Sequence, residues 1–252
     1  MDNMINEVLI ERYGNAKNKL ILLDYDGTLV DFSPFPETTI PSEKLLDTLK
    51  KLVDKPQTKV IIISGRDYRE IDKFLGDLPI TIIAGHGAMI KENGKWTKKL
   101  TDNVLWKNNV ISVLNQITLK CPKSFVEDKK FSLAWHYRNA ESKSGYTNSR
   151  ELIRILTNII PLYNLKILDG NKVVEVMNKE IGKGKTVKNL VGQDNYDYIL
   201  AIGDDKTDEE MFEFFLDKPN ALTVKVGEGK TFAKYKVDSF NHVIMLLKQL
   251  TK

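Results

Sequence analysis

The sequence has one cysteine, Cys121, and three histidines among 252 residues. An internal disulfide framework and any CxxC zinc or redox site are therefore excluded. A lone thiol fits a reducing compartment, and a cytoplasmic location is expected. The first twenty residues mix acids with apolar side chains. They lack the basic start and apolar middle of a secretory leader, so none is expected. No apolar run approaches the roughly 20 residues that a membrane-spanning helix needs. Runs such as residues 20–23 and 60–63 are strand-sized. Eight prolines and 15 glycines are ordinary numbers, so collagen-like and low-complexity classes are excluded. The 38 basic and 34 acidic residues leave a net charge of only +4. The excess comes from scattered lysines and forms no nucleic-acid footprint. No internal repeat is visible.

Hydrophobic residues make up 42% of the chain, enough for a packed core. The first hundred residues alternate strand and helix patterns. Strands are expected at 19–23, 60–63 and 80–83. Pro41-Ser42 opens a helix with Leu45, Leu46, Leu49, Leu52 and Val53 on one face. Asp67 to Glu70 has capping-box spacing before a second helix that stops at Gly76. Met89-Ile90 and Trp96 flank Asn93-Gly94, a hairpin signal. The middle differs: helical spacing over 104–119 and 150–160 brackets alternating strands over 123–137. After that, 173–176 and 198–202 read as strands. A helix begins near Lys183, and Thr207 to Glu210 again has capping-box spacing. A strand over 222–226 and a helix over 242–250 follow. Strand–helix alternation with short connections predicts a parallel α/β sheet. The expected division is a core over 1–100 and 173–252 with a small α+β insertion over 101–172.

Three apolar strands end in polar loops: Asp24-Tyr25-Asp26-Gly27, Ser64-Gly65-Arg66 and Gly203-Asp204-Asp205. Ligands of open α/β sheets bind beyond the carboxyl ends of the strands, so these groups are expected at one rim. Carboxylates gathered there repel one another and need a cation. All-oxygen ligation points to Mg²⁺, which keeps several waters and accepts substrate phosphate. An aspartate beside such an ion can attack phosphorus and form an aspartyl-phosphate.

These elements resemble the haloacid dehalogenase superfamily. Its DxDGT signature is matched by Asp24-Tyr25-Asp26-Gly27-Thr28. Ser64, a lysine opening a late helix, and Gly203-Asp204-Asp205 match its remaining motifs in order. The resemblance implies a Rossmann-like parallel-sheet core with an inserted α+β cap. It implies that Asp24 is the nucleophile and a metal ligand. Asp26 would be general acid and then base, its backbone carbonyl also ligating Mg²⁺. Ser64 would hydrogen-bond the phosphoryl oxygens, and Lys183 would neutralise charge. Asp204 would complete the metal site, with Asp205 close by and Asp208 behind them. The superfamily places its lysine directly before glycine, which favours Lys183 over Lys185. A phosphate-binding GxxxxGK[ST] loop is excluded, because Lys179 and Val224 stand where its first glycine is required.

A closer resemblance covers nearly the whole chain. Ala84-Gly85-His86-Gly87-Ala88, Glu127-Asp128-Lys129, His136-Tyr137-Arg138, Val174-Glu175-Val176 and Gly203 to Glu209 look like the trehalose-6-phosphate phosphatases. In that family the inserted lid closes on the sugar. The resemblance implies substrate contacts from Gly27, Arg66, His86, Glu127, Lys129 and His136, with Glu175 contributing from the core side near the hinge. One departure is Met177-Asn178, where the family often has Arg-Pro. The expected activity is hydrolysis of trehalose 6-phosphate, a small-molecule sugar phosphate. The alternatives are the phosphates of sucrose, glucosylglycerol or mannosylglycerate, or a non-enzymatic phosphate-sensing domain. A phosphate sensor has no reason to carry Asp26 or a lid of about 70 residues. No nucleic acid and no membrane are expected as partners. A monomer is expected, with an oligomer left open.

Overall fold

The computed structural model describes residues 3–33, 38–99, 105–191 and 195–252. The chain forms two compact units, one of residues 1–99 and 182–252, the other of residues 100–181.

The first unit contributes, in chain order, α1 (Asn3–Asn15), β1 (Lys19–Leu23), α2 (Glu43–Val53), β2 (Thr58–Ile63), α3 (Tyr68–Leu75), β3 (Thr81–Ala84), β4 (Met89–Glu92) and β5 (Lys95–Lys98). The second holds α4 (Trp106–Lys120), β6 (Phe125–Asp128), β7 (Ser132–His136), α5 (Ser142–Ile159), β8 (Leu165–Gly170) and β9 (Val173–Asn178). The chain then returns to the first unit with α6 (Lys183–Val191), β10 (Tyr198–Gly203), α7 (Lys206–Phe214), β11 (Ala221–Val226), β12 (Tyr235–Val237) and α8 (Phe240–Leu250).

The first unit is built on an eight-stranded sheet ordered β12-β11-β10-β1-β2-β3-β4-β5. The six strands from β12 to β3 are parallel. The β4–β5 hairpin closes the far edge antiparallel. Its turn residues Asn93 and Gly94 both have positive φ, 51° and 75°, as a two-residue hairpin turn demands. The central strands are continuous apolar runs because helices cover both faces. Leu20, Leu22, Ile61 and Ile63 pack with Val187 of α6, Met211 and Phe212 of α7, and Phe215 just after it. Ser42 caps α2 by accepting from the Leu45 N–H.

The second unit is a four-stranded antiparallel sheet, β6-β7-β9-β8. Leu133, Trp135, Val174 and Val176 pack on Val110, Leu114 and Ile117 of α4 and Leu152 and Leu156 of α5. Strand residues alternate between faces. Glu127, Ala134 and Glu175 lie side by side in the ladder, so they share the face opposite that core with Ser132 and His136.

Several expectations shift. The second boundary falls after Ile181 instead of at 172, because β9 pairs with β7 and β8. Glu175 consequently belongs to the inserted unit, not to the core side. The α5 helix starts eight residues before position 150, where the Glu141 carboxylate accepts from the Lys143 and Ser144 N–H groups. Strand β8, strand β12 and helix α1 were not anticipated. The capping box near Thr207 sits two residues earlier, with Asp205 as the cap and Asp208 as its reciprocal partner. Asp67 does cap α3, accepting from the Arg69 N–H at 3.0 Å. Cys121 is buried. Among the described residues no helix is long and apolar enough to cross a membrane.

Candidate active site

Strand β1 runs between β2 and β10 at the middle of the parallel sheet. Their carboxyl ends therefore deliver Asp24, Ser64 and Asp204 to one rim from three adjacent strands, as the strand-end motifs predict. The Asp24 N–H extends the ladder, donating to the Ile202 carbonyl at 3.0 Å. This fixes the nucleophile candidate's backbone before its side chain is considered.

Asp24 is 4% exposed. Its Oδ1 accepts from the Lys183 ammonium at 2.6 Å and its Oδ2 from the Thr28 hydroxyl at 3.1 Å. Lys183, equally buried, also donates to Asp208 Oδ1 at 2.8 Å. Burial alone would push the lysine's pKa down, but Asp208 and Asp24 outweigh it and hold it well above the ordinary value. Burial pushes Asp24 up, Lys183 pulls it back, and Asp208 adds repulsion; the outcome is about 7. The lysine at the start of α6 thus bridges two carboxylates. Lys185 is exposed.

Asp24, Asp204 and Asp208 each present an oxygen within 4.8 Å of the others. Asp204 is driven up to about 10, first by burial and then by the charges of Asp24, Asp208 and Asp205. One lysine does not neutralise this cluster. An all-oxygen donor set under such repulsion fits a hard divalent cation. Asp205, expected at the metal, sits outside this cluster. The Asp205 side chain accepts from the N–H and hydroxyl of Thr207 at 2.5 and 2.9 Å, so it caps α7, and Asp208 takes its place in the cluster. Asp208 Oδ2 in turn receives the N–H groups of Asp204 and Asp205 at 3.0 and 3.1 Å. Two glycines allow this crowding. A Cβ on Gly203 would lie 2.2 Å from the Asp208 carboxyl carbon. Gly27 has a φ of 80° and passes so close to Asp204 that a Cβ would meet its carboxylate at 2.6 Å.

Asp26 does not join the carboxylate cluster. Both its oxygens sit in the fork of Arg66, at 2.8 and 2.6 Å. Arg66 is 5% exposed; it also donates to the Thr39 hydroxyl and lies 3.6 Å from Glu70. Its guanidinium stands over the rings of Tyr25 and Phe74. Arg66, expected to bind substrate, forms a two-pronged ion pair with Asp26. To pass a proton to a leaving group, Asp26 has to exchange this partner. Ser64 is buried, and its hydroxyl accepts from the Arg66 N–H at 3.1 Å. His86, at a φ of 55°, is buried. Its N–H donates to the Ser64 carbonyl at 2.9 Å, and its ring lies where a Gly65 Cβ would be. The histidine shapes the serine loop from behind.

The second unit gathers the other expected residues on its polar sheet face. His136 Nε2 lies 2.7 Å from Glu127 Oε2, with its ring stacked on Phe125. Lys129 Nζ lies 3.3 Å from Glu175 Oε1 and 3.9 Å from Glu127 Oε2. The Ser132 hydroxyl donates to Glu175 Oε1 at 2.5 Å. Burial raises the Glu127 pKa, but Lys129 and His136 more than offset it, and the carboxylate is held below its ordinary range. Ser132 was missed in the sequence, although a serine in the apolar run of β7 was a visible signal. Lys225, in the buried apolar run of β11, was missed in the same way.

The chain is similar to known proteins. The family model described as Trehalose-phosphatase matches residues 22–240. The chain is 38% identical over 247 residues to a UDP-forming alpha,alpha-trehalose-phosphate synthase B of Dictyostelium discoideum, covering 96% of this chain and 31% of that protein. It is 38% identical over 251 residues to a bifunctional trehalose-6-phosphate synthase/phosphatase of Thermoproteus tenax, covering 99% and 34%. A trehalose-phosphatase of Saccharomyces cerevisiae is 36% identical over 230 residues, covering 81% and 26%. The chain thus spans about a third or less of the length of these relatives. The C-terminal domain of a trehalose-6-phosphate phosphatase from C. albicans superposes with a TM-score of 0.92 at 29% identity, covering 98% of this chain and 96% of that one. A haloacid dehalogenase-like hydrolase from B. subtilis, 14% identical with a TM-score of 0.61, shares the fold. With the matched region running from β1 to the start of α8, the chain belongs to the trehalose-phosphatase family.

Proposed function

We propose that this chain is a Mg²⁺-dependent phosphatase that hydrolyses trehalose 6-phosphate to trehalose and inorganic phosphate. The observation that carries the proposal is Asp24. It is a buried carboxylate on the central strand, gripped by Lys183 and Thr28 and set within 4.8 Å of Asp204 and Asp208. An aspartate so placed can attack phosphorus. Its Oδ forms the new P–O bond, and the bond to the sugar oxygen breaks. The departing oxygen takes a proton from Asp26, since a sugar alkoxide is a poor leaving group. Water then attacks the same phosphorus, Asp26 accepts its proton, and the aspartyl–phosphorus bond breaks to restore Asp24. Lys183 offsets the charge that would otherwise keep a carboxylate and a phosphate apart. Ser64 serves as a hydrogen-bond donor to the phosphoryl oxygens. Mg²⁺ would be held by Asp24, Asp204 and the Asp26 carbonyl, with Asp208 in the same carboxylate cluster, and would supply charge neutralisation at the phosphoryl group.

The substrate reading draws on family membership and on the polar face of the second unit. Glu127 and Glu175 accept hydrogen bonds from sugar hydroxyls there, and Lys129 and His136 donate. A panel measuring phosphate release from trehalose, sucrose, glucosylglycerol and mannosylglycerate phosphates, with Asp24→Asn as control, tests it. Trehalose 6-phosphate is expected to give the highest kcat/KM. A clear preference for another member of the panel refutes the substrate, and release by the control refutes the nucleophile.

A further inference from the structure

A lysine inside a strand buried on both faces is costly unless it is partnered. Strand β11, Ala-Leu-Thr-Val-Lys-Val, is buried throughout, and Lys225 within it is 6% exposed. The parallel ladder sets Lys225 directly beside Gly203, the last residue of β10. From there its ammonium donates to the backbone carbonyl of Asp204. Its nearest carboxylate oxygen is Glu209 Oε1, at 3.8 Å. The other Glu209 oxygen is spoken for, accepting from the Thr231 hydroxyl at 3.0 Å and the Phe232 N–H at 2.8 Å.

The Asp204 peptide is therefore held at both ends. Its N–H is fixed by Asp208 Oδ2 at 3.0 Å, and its carbonyl is fixed by Lys225. Its side chain, by contrast, is the member of the Asp24–Asp204–Asp208 cluster that neither Lys183 nor an amide restrains in the hydrogen bonds described above. Its direction depends on the backbone that carries it. Lys225 reaches this backbone from the neighbouring strand, while Lys183 serves Asp24 and Asp208 from the start of α6.

We infer that Lys225 is a positioning residue for the metal-binding carboxylate of Asp204. It acts through the Asp204 carbonyl and touches neither substrate nor metal. The inference rests on the cation reading of the carboxylate cluster given under Proposed function. It makes a directional claim that charge alone does not. Removing a nearby positive charge would, by Coulomb attraction alone, tighten the binding of a cation. Removing a group that orients a ligand loosens it, typically by about 10–100-fold.

The test is calorimetric titration of the substrate-free protein with Mg²⁺, comparing wild type, Lys225→Met and Lys225→Gln. Thermal unfolding in EDTA checks that each variant is folded. Lys225→Met is expected to bind Mg²⁺ at least about tenfold more weakly than wild type. Lys225→Gln, equally neutral but still a donor, is expected to fall between the two. Should Lys225→Met fail to fold, Lys225→Gln against wild type carries the test, with weaker binding expected. Unchanged or tighter binding in the folded variants overturns the inference, as does equal binding by Met and Gln. No sugar takes part in the titration. A wrong substrate would therefore show only in phosphate release, and a wrong cation reading would show as wild type itself binding no Mg²⁺.

Discussion

Replacing Lys183 by methionine isolates the electrostatics of the carboxylate cluster. The ammonium lies 2.6 Å from Asp24 and 2.8 Å from Asp208, and all three side chains are buried. At an effective dielectric constant of about 20, each contact is worth about 6 kcal/mol of gross attraction. Desolvating the three charges takes back most of that. Deleting one partner of a buried pair leaves a net loss of about 3–5 kcal/mol, a large part of the roughly 5–15 kcal/mol that holds a domain folded. The loss depends on pH, and its sign follows from the cluster. Asp24 is raised from an unfolded value near 4 to about 7 even with Lys183 present, so across that interval the native protein holds a proton that the unfolded chain has released. Stability of the metal-free protein therefore falls as pH rises through the interval. Without Lys183 the carboxylates move higher still, and the fall continues past neutrality. The gap between wild type and Lys183→Met should be small near pH 5.5, where protonation relieves the unpaired carboxylates, and larger near pH 8.5. Urea unfolding followed by circular dichroism in EDTA at the two pH values measures it. A gap that is the same at both, or below about 1 kcal/mol at the higher pH, as for an exposed pair, refutes the reasoning.

Four further outcomes are expected. Asp24→Asn should lose turnover while keeping its circular dichroism spectrum, because an amide is a far poorer nucleophile; activity in the folded variant contradicts the assignment. Asp26→Asn should lose roughly 10²–10⁴ in rate on trehalose 6-phosphate yet release a stopped-flow burst of nitrophenol, up to about one equivalent per enzyme, from 4-nitrophenyl phosphate; an unimpaired steady-state rate on the sugar phosphate rules out the acid/base role. Chelation should remove activity and Mg²⁺ restore it, with Zn²⁺ a poor substitute at oxygen ligands; phosphate release that survives exhaustive chelation counts against the cation. Gly203→Ala puts a methyl group 2.2 Å from the Asp208 carboxyl carbon and should cost about 1–3 kcal/mol, read as a lowered melting temperature; an unchanged melt would mean the crowding at this turn is slack.

The core was legible because its signals are short-range. Residues 20–23 and 60–63 are apolar runs that end abruptly in polar loops, and those same loops carry the chemistry. The capping-box spacing falls at Thr207 to Glu210, yet Asp205 is the cap and Asp208 its partner, because the backbone angles of the turn decide which carboxylate meets the helix N-terminus. The boundary at 172 was misplaced because Val173 to Val176 has the same pattern in a core strand as in β9, and pairing partners are not local information. Strand β8 follows α5 after a short 3₁₀ turn, Ile160–Tyr163, with no glycine or asparagine-glycine signal to announce it. Lys225 looked like one more scattered lysine until β11 proved buried on both sides. The family resemblance implies a substrate contact from Arg66, and the fork of its guanidinium closes on Asp26, a partner that no spacing in the sequence announces.

The central position of β1 also sets when the site can exist. Leu23 pairs with Ile62 on one side and with Ile202 on the other. The second partner is 202 − 23 = 179 residues farther along the chain. At about 5–20 residues per second, a ribosome delivers that partner roughly 10–40 s after β1. The inserted unit is one continuous stretch with antiparallel neighbours that ends at Ile181, 181 − 23 = 158 residues after Leu23, so its contacts can close shortly before β10 arrives. Until its last stretch, when Lys183 is made, the nascent chain carries Asp24 alone, and Asp204 and Asp208 follow only after Ile202. An early-terminated or stalled chain can therefore hold a finished second unit and no cation site at all, while the unsatisfied edge of β1 waits for β10 and is open to pairing with another chain.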